Sequence, residues 1–196
     1  MSRAAVFFDR DGIVNELVPD PQTGLPESPL APEDVRLAPG AADALRRLGD
    51  AGFALVGVSN QPAAAKGTVP LAQLHAVATR VVELLAAEGV VPDDVRYCFH
   101  HPEGVDPELG VACDCRKPAP GLLTAAAAEL GLDLDASWLI GDTDADALAG
   151  LAAGCSAVLV EVPGRAHKRV AATPDAVRRV GDMEAAATIV LARTKG

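Results

Sequence analysis

The chain has 196 residues, of which 49% are hydrophobic, so it can form a domain with a buried core and is not a disordered chain. Its formal net charge of −10, without a basic stripe, argues against binding to nucleic acid or to an anionic membrane surface. No apolar run approaches the roughly 20 residues of a membrane span, and no signal segment stands before the first apolar run, so we expect a cytoplasmic protein.

Short apolar runs alternate with segments of helical periodicity along the chain. The predicted strands are 4–8, 53–58, 95–99, 138–140, 157–162 and 177–180, and the predicted helices are 39–52, 71–88, 121–130, 144–153 and 182–193. A proline-rich flap with little periodicity covers about 13–38. This alternation predicts an α/β fold of Rossmann-like type, a single domain over 1–196 with a doubly wound parallel sheet and helices on both faces.

Polar residues follow four of the predicted strands. In doubly wound sheets ligands bind beyond the carboxyl ends of the strands, so we expect these residues to meet at one edge. A cysteine- and histidine-rich segment follows the third strand and precedes Lys117. The other groups are Asp9 and Asp11 after the first strand, Ser59 and Asn60 after the second, and Asp142 after the fourth.

These residue types together suit phosphate chemistry. Carboxylates from different strands favour Mg²⁺, which binds oxygen ligands and often a substrate phosphate. Lys117 and the Ser59 hydroxyl could contact phosphate oxygens, and a carboxylate can act as a nucleophile when a metal and a lysine offset the repulsion between anions. The alternative is that each aspartate only caps a helix, which is harder to maintain for four convergent loops.

The segment at about 98–116 has the ligand spacing of a zinc loop. A Cys-x-His pair and a Cys-x-Cys pair can close a tetrahedral site with no open position, which predicts a structural Zn²⁺. Reduced thiols beside a surface histidine are the alternative. His101 is either a neighbour of the site or a substitute ligand, and Cys155 is predicted to be a buried core residue. The candidate ligands are Cys98, His100, Cys113 and Cys115.

Four segments of this chain, in order, resemble the motifs of the haloacid dehalogenase superfamily of phosphatases. The resemblance implies a Mg²⁺-dependent phosphatase in which Asp9 forms an aspartyl-phosphate, while Asp11 first protonates the leaving alcohol and then activates water. It also implies that Ser59 and Lys117 hold the phosphoryl group. The matching segments are 9–15, 58–61, 116–121 and 141–146.

The same resemblance assigns the metal. Mg²⁺ would bind the Asp9 side chain, the Asp11 backbone carbonyl and Asp142. Asp146 would orient Lys117 or a water on the metal.

The zinc loop that runs directly into Cys-Arg-Lys-Pro narrows the resemblance. It is similar to the D-glycero-D-manno-heptose 1,7-bisphosphate phosphatases and the related histidinol-phosphate phosphatases, which lack a large cap domain. This similarity implies removal of the C7 phosphate of the heptose, with histidinol phosphate or another sugar phosphate as alternatives. The implied substrate contacts are Asn60, Gln61, Arg116 and Lys117.

The chain departs from that family in the loop at 17–33, which lacks the usual Gly-Tyr-Val stretch, and at three substrate-contacting positions. Pro62 removes a hydroxyl and an N–H, Lys66 replaces the usual arginine, and Thr143 stands where the heptose enzymes often have a basic residue. The reaction is therefore better supported than the substrate. We predict a monomer that acts on a small phosphorylated metabolite; phosphoryl transfer to another metabolite and a zinc-stabilised binding module without catalysis remain alternatives.

Overall fold

A computed structural model describes residues 2–21, 23–165, 169, 173–174 and 177–193. Within these residues the chain forms strands β1 Arg3–Phe8, β2 Val18–Pro19, β3 Pro26–Glu27, β4 Ala54–Asn60, β5 Asp94–Cys98, β6 Leu132–Gly141, β7 Ser156–Val160 and β8 Arg178–Val180. The α-helices are α1 Ala41–Asp50, α2 Leu71–Ala87, α3 Gly121–Leu130, α4 Asp144–Ala152 and α5 Met183–Arg193, and a 3-10 helix covers Pro32–Asp34.

Six of the strands form one parallel sheet in the order β5-β4-β1-β6-β7-β8. Because β1 lies between β4 and β6, the strand order reverses direction beside β1, as in doubly wound folds. The predicted fold class is therefore confirmed. The crevice that such a reversal leaves is found at the carboxyl ends of β1, β4 and β6.

Alternate residues of each buried strand point to opposite faces of the sheet. Both faces are apolar, and helices cover both of them. Val6 and Phe8 of β1 pack into the apolar cluster that also contains residues of α1, α2 and α5. Ala5 and Phe7 pack into a second cluster with residues of α3 and α4. Cys155 is buried in this second cluster, as its position next to an apolar run predicts.

Strand β6 is much longer than the predicted strand at 138–140. Its first residues pair with the start of β1, and the register shifts between Ala4 and Val6. At this shift the Ala5 backbone N–H donates to Ser137 Oγ at 2.8 Å instead of to a carbonyl. A side chain therefore replaces a backbone acceptor, which apolar periodicity alone could not reveal.

The predicted flap at 13–38 also contains short regular elements. β2 and β3 pair as an antiparallel hairpin, and the 3-10 helix follows them. Asn15 forms isolated bridges to Asp11 and to Leu37, which attach the two ends of the flap near the end of β1. The hairpin is thereby held over the carboxyl edge of the sheet.

Candidate active site

A cavity of about 590 Å³ opens at the carboxyl edge of the sheet. The flap covers one side of it, and Lys66 and Arg165 line other parts. Among the residues predicted from sequence, the cavity is lined by Asp9, Asp11, Asn60, Gln61, Arg116, Lys117 and Asp146. Ser59 and Asp142, also predicted, are buried next to these residues.

Lys117 is the centre of a buried ion-pair network. Its Nζ lies 3.0 Å from Asp9 Oδ1, 2.5 Å from Asp146 Oδ1 and 2.7 Å from the Val58 carbonyl oxygen. Burial by itself would lower the pKa of Lys117, but the carboxylates of Asp146 and Asp9 raise it above its ordinary value. The ammonium group therefore stays protonated beside Asp9.

Asp9 follows β1 directly and lies at the floor of the cavity. Its backbone N–H donates to the Ile140 carbonyl, which attaches it to β6. Burial raises the pKa of its carboxyl group, and the charge and hydrogen bond of Lys117 oppose this effect. An anionic oxygen beside a fixed ammonium group is the arrangement that a carboxylate nucleophile needs.

Asp11 is held by three side chains rather than left free in the cavity. It accepts hydrogen bonds from Arg10 Nε at 2.9 Å, from Gln61 Nε2 at 2.6 Å and from Asn15 Nδ2 at 3.0 Å. Burial would raise the pKa of Asp11, but the Arg10 charge and these hydrogen bonds bring it below its ordinary value. The contacts of Arg10 and Asn15 with Asp11 were not predicted from the sequence.

The second motif positions the other residues of the site. Asn60 Oδ1 accepts the Lys117 N–H at 3.0 Å, and Asn60 Nδ2 donates to the Lys117 carbonyl at 2.9 Å. Gln61 Nε2 donates to Ser59 Oγ at 3.0 Å as well as to Asp11. Asn60 and Gln61 thus have partners inside the protein, in addition to the substrate contacts predicted for them.

Asp146 has two roles in the geometry of the fourth motif. Thr143 donates to Asp146 Oδ2 from its backbone N–H at 3.0 Å and from its hydroxyl at 2.5 Å, and this capping box begins α4. The other oxygen, Oδ1, accepts from Lys117. The Thr-x-x-Asp pattern was a signal for this cap that sequence analysis did not use.

Two glycines permit the close approach of these segments. Gly12 has a φ of +84°, and a Cβ added there would lie 3.0 Å from Asp142 Oδ2. A Cβ added at Gly141 would lie 2.3 Å from the Asp146 Cβ, which no structure tolerates without a shift. Glycine at position 12 therefore lets the first motif approach Asp142 of the fourth motif, and glycine at position 141 leaves room for the Asp146 side chain within the fourth motif.

Asp142 is completely buried and faces an arginine that sequence analysis missed. Arg165 Nε donates to Asp142 Oδ2 at 2.7 Å, and Arg165 Nη2 lies 3.4 Å from Oδ1. Burial raises the pKa of Asp142 to about 7, although Arg165 acts in the opposite direction. Arg165 follows the carboxyl end of β7. This strand-end position, like those of the other site residues, was the signal that could have identified it.

The donor set fits a divalent cation. Carboxylate oxygens of Asp9, Asp142 and Asp146 lie within 4.8 Å of one another. All three are hard oxygen ligands, which Mg²⁺ prefers. Lys117 and Arg165 now balance part of this negative charge.

The four predicted zinc ligands also come together, at the end of β5. Cys98, Cys113 and Cys115 have Sγ–Sγ distances of 3.1 to 3.5 Å, and His100 Nδ1 lies 3.4 Å from Cys115 Sγ. A tetrahedral site with Zn–S bonds of about 2.3 Å has edges of about 3.8 Å, so a small expansion fits the set to zinc. His101 is not part of this cluster; its Nδ1 accepts the Glu103 N–H.

The cysteine cluster is not a set of disulfides, since all four cysteines are free. The cluster also positions Arg116, whose Nη1 donates to the His100 carbonyl at 3.3 Å. The loop between the ligand pairs contacts the segment after β4, where the N–H groups of Val105 and Asp106 donate to the Ala65 carbonyl. The loop thus packs against the segment that carries Lys66, a residue that lines the cavity. Within the described ranges, the helices are too short or too polar to cross a membrane.

Known proteins resemble this chain over most of its length. A family model described as HAD-hydrolase-like matches residues 114–182. A D-glycero-β-D-manno-heptose-1,7-bisphosphate 7-phosphatase of Pseudomonas aeruginosa is 32% identical over 191 residues, which are 97% of this chain and 99% of the relative. The corresponding enzyme of Yersinia pestis is 38% identical over 149 residues, 76% of this chain and 75% of the relative.

Two solved structures give the same result. A putative HAD-like phosphatase from Mesorhizobium loti has a TM-score of 0.80 and 33% identity, with 97% of this chain and 85% of that chain covered. A D,D-heptose 1,7-bisphosphate phosphatase from B. bronchiseptica, complexed with magnesium and phosphate, has a TM-score of 0.78 and 29% identity, with 97% and 99% covered. The chain is therefore a phosphatase that belongs to the heptose-bisphosphate phosphatase family of the haloacid dehalogenase superfamily.

Proposed function

We propose that the protein is a Mg²⁺-dependent phosphomonoesterase that removes the C7 phosphate of D-glycero-D-manno-heptose 1,7-bisphosphate through an aspartyl-phosphate. The observation that carries this proposal is the pair of Asp9 and Lys117, 3.0 Å apart at the floor of the cavity, with Asp11 two residues beyond. The relatives from Yersinia pestis and Pseudomonas aeruginosa are heptose-1,7-bisphosphate 7-phosphatases, which supports the same substrate.

The residues of the site suggest how the reaction proceeds. Asp9 would attack phosphorus while Lys117 and the Ser59 hydroxyl bind the phosphoryl oxygens, which offsets the developing charge. Asp9, Asp142 and the Asp11 carbonyl would hold Mg²⁺, whose charge reduces the repulsion between the carboxylate and the phosphate.

Asp11 would transfer the protons. The negative charge of an arriving phosphate favours the protonated form of Asp11, which can then donate to the leaving oxygen. In the second step the ionised Asp11 would take a proton from the water that hydrolyses the aspartyl-phosphate. The lowered pKa of Asp11 and its contacts with Arg10 and Gln61 keep the carboxylate ionised and in place, which is the form this second step starts from.

The lining of the cavity supports a sugar carrying two phosphates. Lys66 and Arg116 add positive charge beyond Lys117, as a second phosphate requires. The flap adds oxygen-bearing side chains that suit sugar hydroxyls, namely Asp20, Thr23, Glu27 and Ser28.

Two measurements test this function. Phosphate release with Mg²⁺ should be faster from heptose 1,7-bisphosphate than from histidinol phosphate or other sugar phosphates. Asp9→Asn should abolish release, whereas Asp43→Asn, at an exposed carboxylate of α1, should not change it. Faster turnover of histidinol phosphate would refute heptose 1,7-bisphosphate as the preferred substrate. Activity retained by Asp9→Asn would refute the mechanism through Asp9.

We also propose that the cluster of Cys98, His100, Cys113 and Cys115 binds one structural Zn²⁺. Their distances and the lack of a position for water support a closed site. Metal analysis of protein purified without added zinc should give about one equivalent. Cys113→Ser should lower that content and Cys155→Ser should not; zinc-free, well-folded wild-type protein would refute the site.

We further propose one domain over 1–196, with the flap at about 13–38 and the zinc loop at about 98–116, acting as a monomer in the cytoplasm. The reduced thiols favour a reducing compartment. The acidic composition disfavours nucleic acid and membrane partners, which leaves a small phosphorylated metabolite as the ligand.

A further inference from the structure

Arg165 makes a two-pronged contact with the carboxylate of Asp142. Its Nε and Nη2 face Oδ2 and Oδ1 at 2.7 and 3.4 Å, and both residues are nearly or completely withdrawn from solvent. Bidentate contacts between arginine and a carboxylate are among the stronger hydrogen-bonded pairs in proteins. Arg165 therefore neutralises this carboxylate at a specific geometry.

A second arginine of the same segment contacts Asp142 differently. Arg169 Nε donates to the backbone carbonyl of Asp142 at 3.1 Å, and Arg169 Nη2 donates to the Val160 carbonyl at 2.7 Å. Arg169 thus fixes the backbone of this region, whereas Arg165 occupies the two carboxylate oxygens. The two arginines have similar charge and position but different partners.

A divalent cation and the Arg165 guanidinium need the same oxygens. Asp142 Oδ2 also lies close to Gly12, since a Cβ there would approach it to 3.0 Å, so the carboxylate has little room to turn away. When a cation binds Asp142, Arg165 must give up at least one of its two hydrogen bonds. The free energy of that pair then opposes metal binding.

The released guanidinium would turn toward the cavity. Arg165 already lines it, and its Nη1 lies 3.9 Å from Glu27 Oε2 in the flap hairpin. A phosphate in this cavity carries the negative charge that Arg165 would lose from Asp142. We propose that Arg165 competes with the catalytic divalent cation for Asp142 and, once displaced, contacts the phosphate of the substrate.

This inference rests on the proposed metal-dependent function, so its test measures binding without turnover. Zinc-loaded protein is titrated with Mn²⁺, whose free form is detected by electron paramagnetic resonance. Arg165→Gln should bind Mn²⁺ about tenfold more tightly than wild type, because a charge-assisted pair no longer has to break. Arg169→Gln, the matched control, should change the affinity less than about twofold, because Arg169 contacts no carboxylate oxygen of Asp142.

A second measurement separates this exchange from a general effect of charge. With Mn²⁺ saturating, inorganic phosphate should bind Arg165→Gln about tenfold more weakly than wild type, since a charged partner is lost. Opposite changes in metal and phosphate affinity are thus expected from one substitution. Unchanged or weaker Mn²⁺ binding, an equal gain in Arg169→Gln, or unchanged phosphate binding would each overturn the proposal.

Two further variants keep the result decisive. Arg165→Lys retains the charge but not the planar fork, so it should bind Mn²⁺ about threefold more tightly even if Arg165→Gln does not fold; unchanged affinity would count against the exchange. Asp142→Asn should abolish Mn²⁺ binding. If it does not, the proposed metal site fails; if it does while Arg165→Gln and Arg165→Lys bind as wild type, only the exchange fails.

Discussion

Replacing Asp146 by alanine tests how one buried carboxylate supports both the fold and the site. The substitution removes the acceptor of Thr143 at the start of α4 and one of the two carboxylates that contact Lys117. Lys117 keeps Asp9 at 3.0 Å and the Val58 carbonyl at 2.7 Å, so its ammonium group is not left without partners.

The expected loss in the free energy of unfolding is the sum of what these contacts contribute. The cap contributes about 1 kcal/mol and a hydrogen bond to a charged group about 1.5–3 kcal/mol. Relief of the repulsion that Asp146 exerts on Asp9 and Asp142 offsets part of this loss. We expect Asp146→Ala to lower the free energy of unfolding by about 3 kcal/mol, which corresponds to roughly 6–12 °C in Tm for a chain of this size.

Thermal unfolding of zinc-loaded protein measures this difference. Asp182→Ala is the matched control, because Asp182 Oδ1 accepts the Ala185 N–H at the exposed start of α5 and has no buried cation as a partner. It should cost about 1 kcal/mol, or roughly 2–4 °C. If Asp146→Ala melts no lower than Asp182→Ala, the contact with Lys117 contributes nothing to stability and the reasoning is refuted.

Three other predictions concern the site and the core. Asn60→Ala should lower the phosphatase turnover and cost about 1–3 kcal/mol of stability, because both of its hydrogen bonds hold the backbone of Lys117. The pKa of Asp11 lies below its ordinary value in the folded state, so its ionisation stabilises the fold above that ordinary value and this contribution disappears as the pH falls through the folded pKa. The stability difference between wild type and Asp11→Asn, measured by urea unfolding, should therefore be constant from about pH 8 to 5 and shrink below about pH 4. Burial raises the pKa of Cys155 to about 12, so native protein at about pH 8 should not incorporate iodoacetamide at Cys155, as peptide mass spectrometry would show.

Each of these predictions has an outcome that contradicts it. Full turnover in Asn60→Ala would mean that the Lys117 backbone is held without the amide. A stability difference for Asp11→Asn that grows on acidification would give the pKa shift the opposite sign. Rapid alkylation of Cys155 in native protein would show that its strand region opens to solvent.

The sequence predicted the order of the elements well, because buried strands and amphipathic helices leave different apolar patterns. It missed the first half of β6, where Ser137 replaces a backbone acceptor in a strand whose early residues alternate apolar and acidic side chains and are not buried. It also left the flap irregular, although β2 and β3 form a hairpin there. Short or irregular pairings depend on partners elsewhere in the chain, which a local pattern does not contain.

The candidate site likewise contains features that a local pattern predicts and contacts that depend on distant parts of the chain. The strand-end positions of Asp9 and Asp142 and the spacing of the zinc ligands are local features, so the sequence by itself determined the fold class and predicted the residues that we propose for the reaction. Only the tertiary structure decided that Gln61 turns inward to Asp11 and that Arg165 faces Asp142. The physical reason is that such contacts are chosen by packing and by the balance of buried charge between loops, and these exist only once the sheet has brought the loops together.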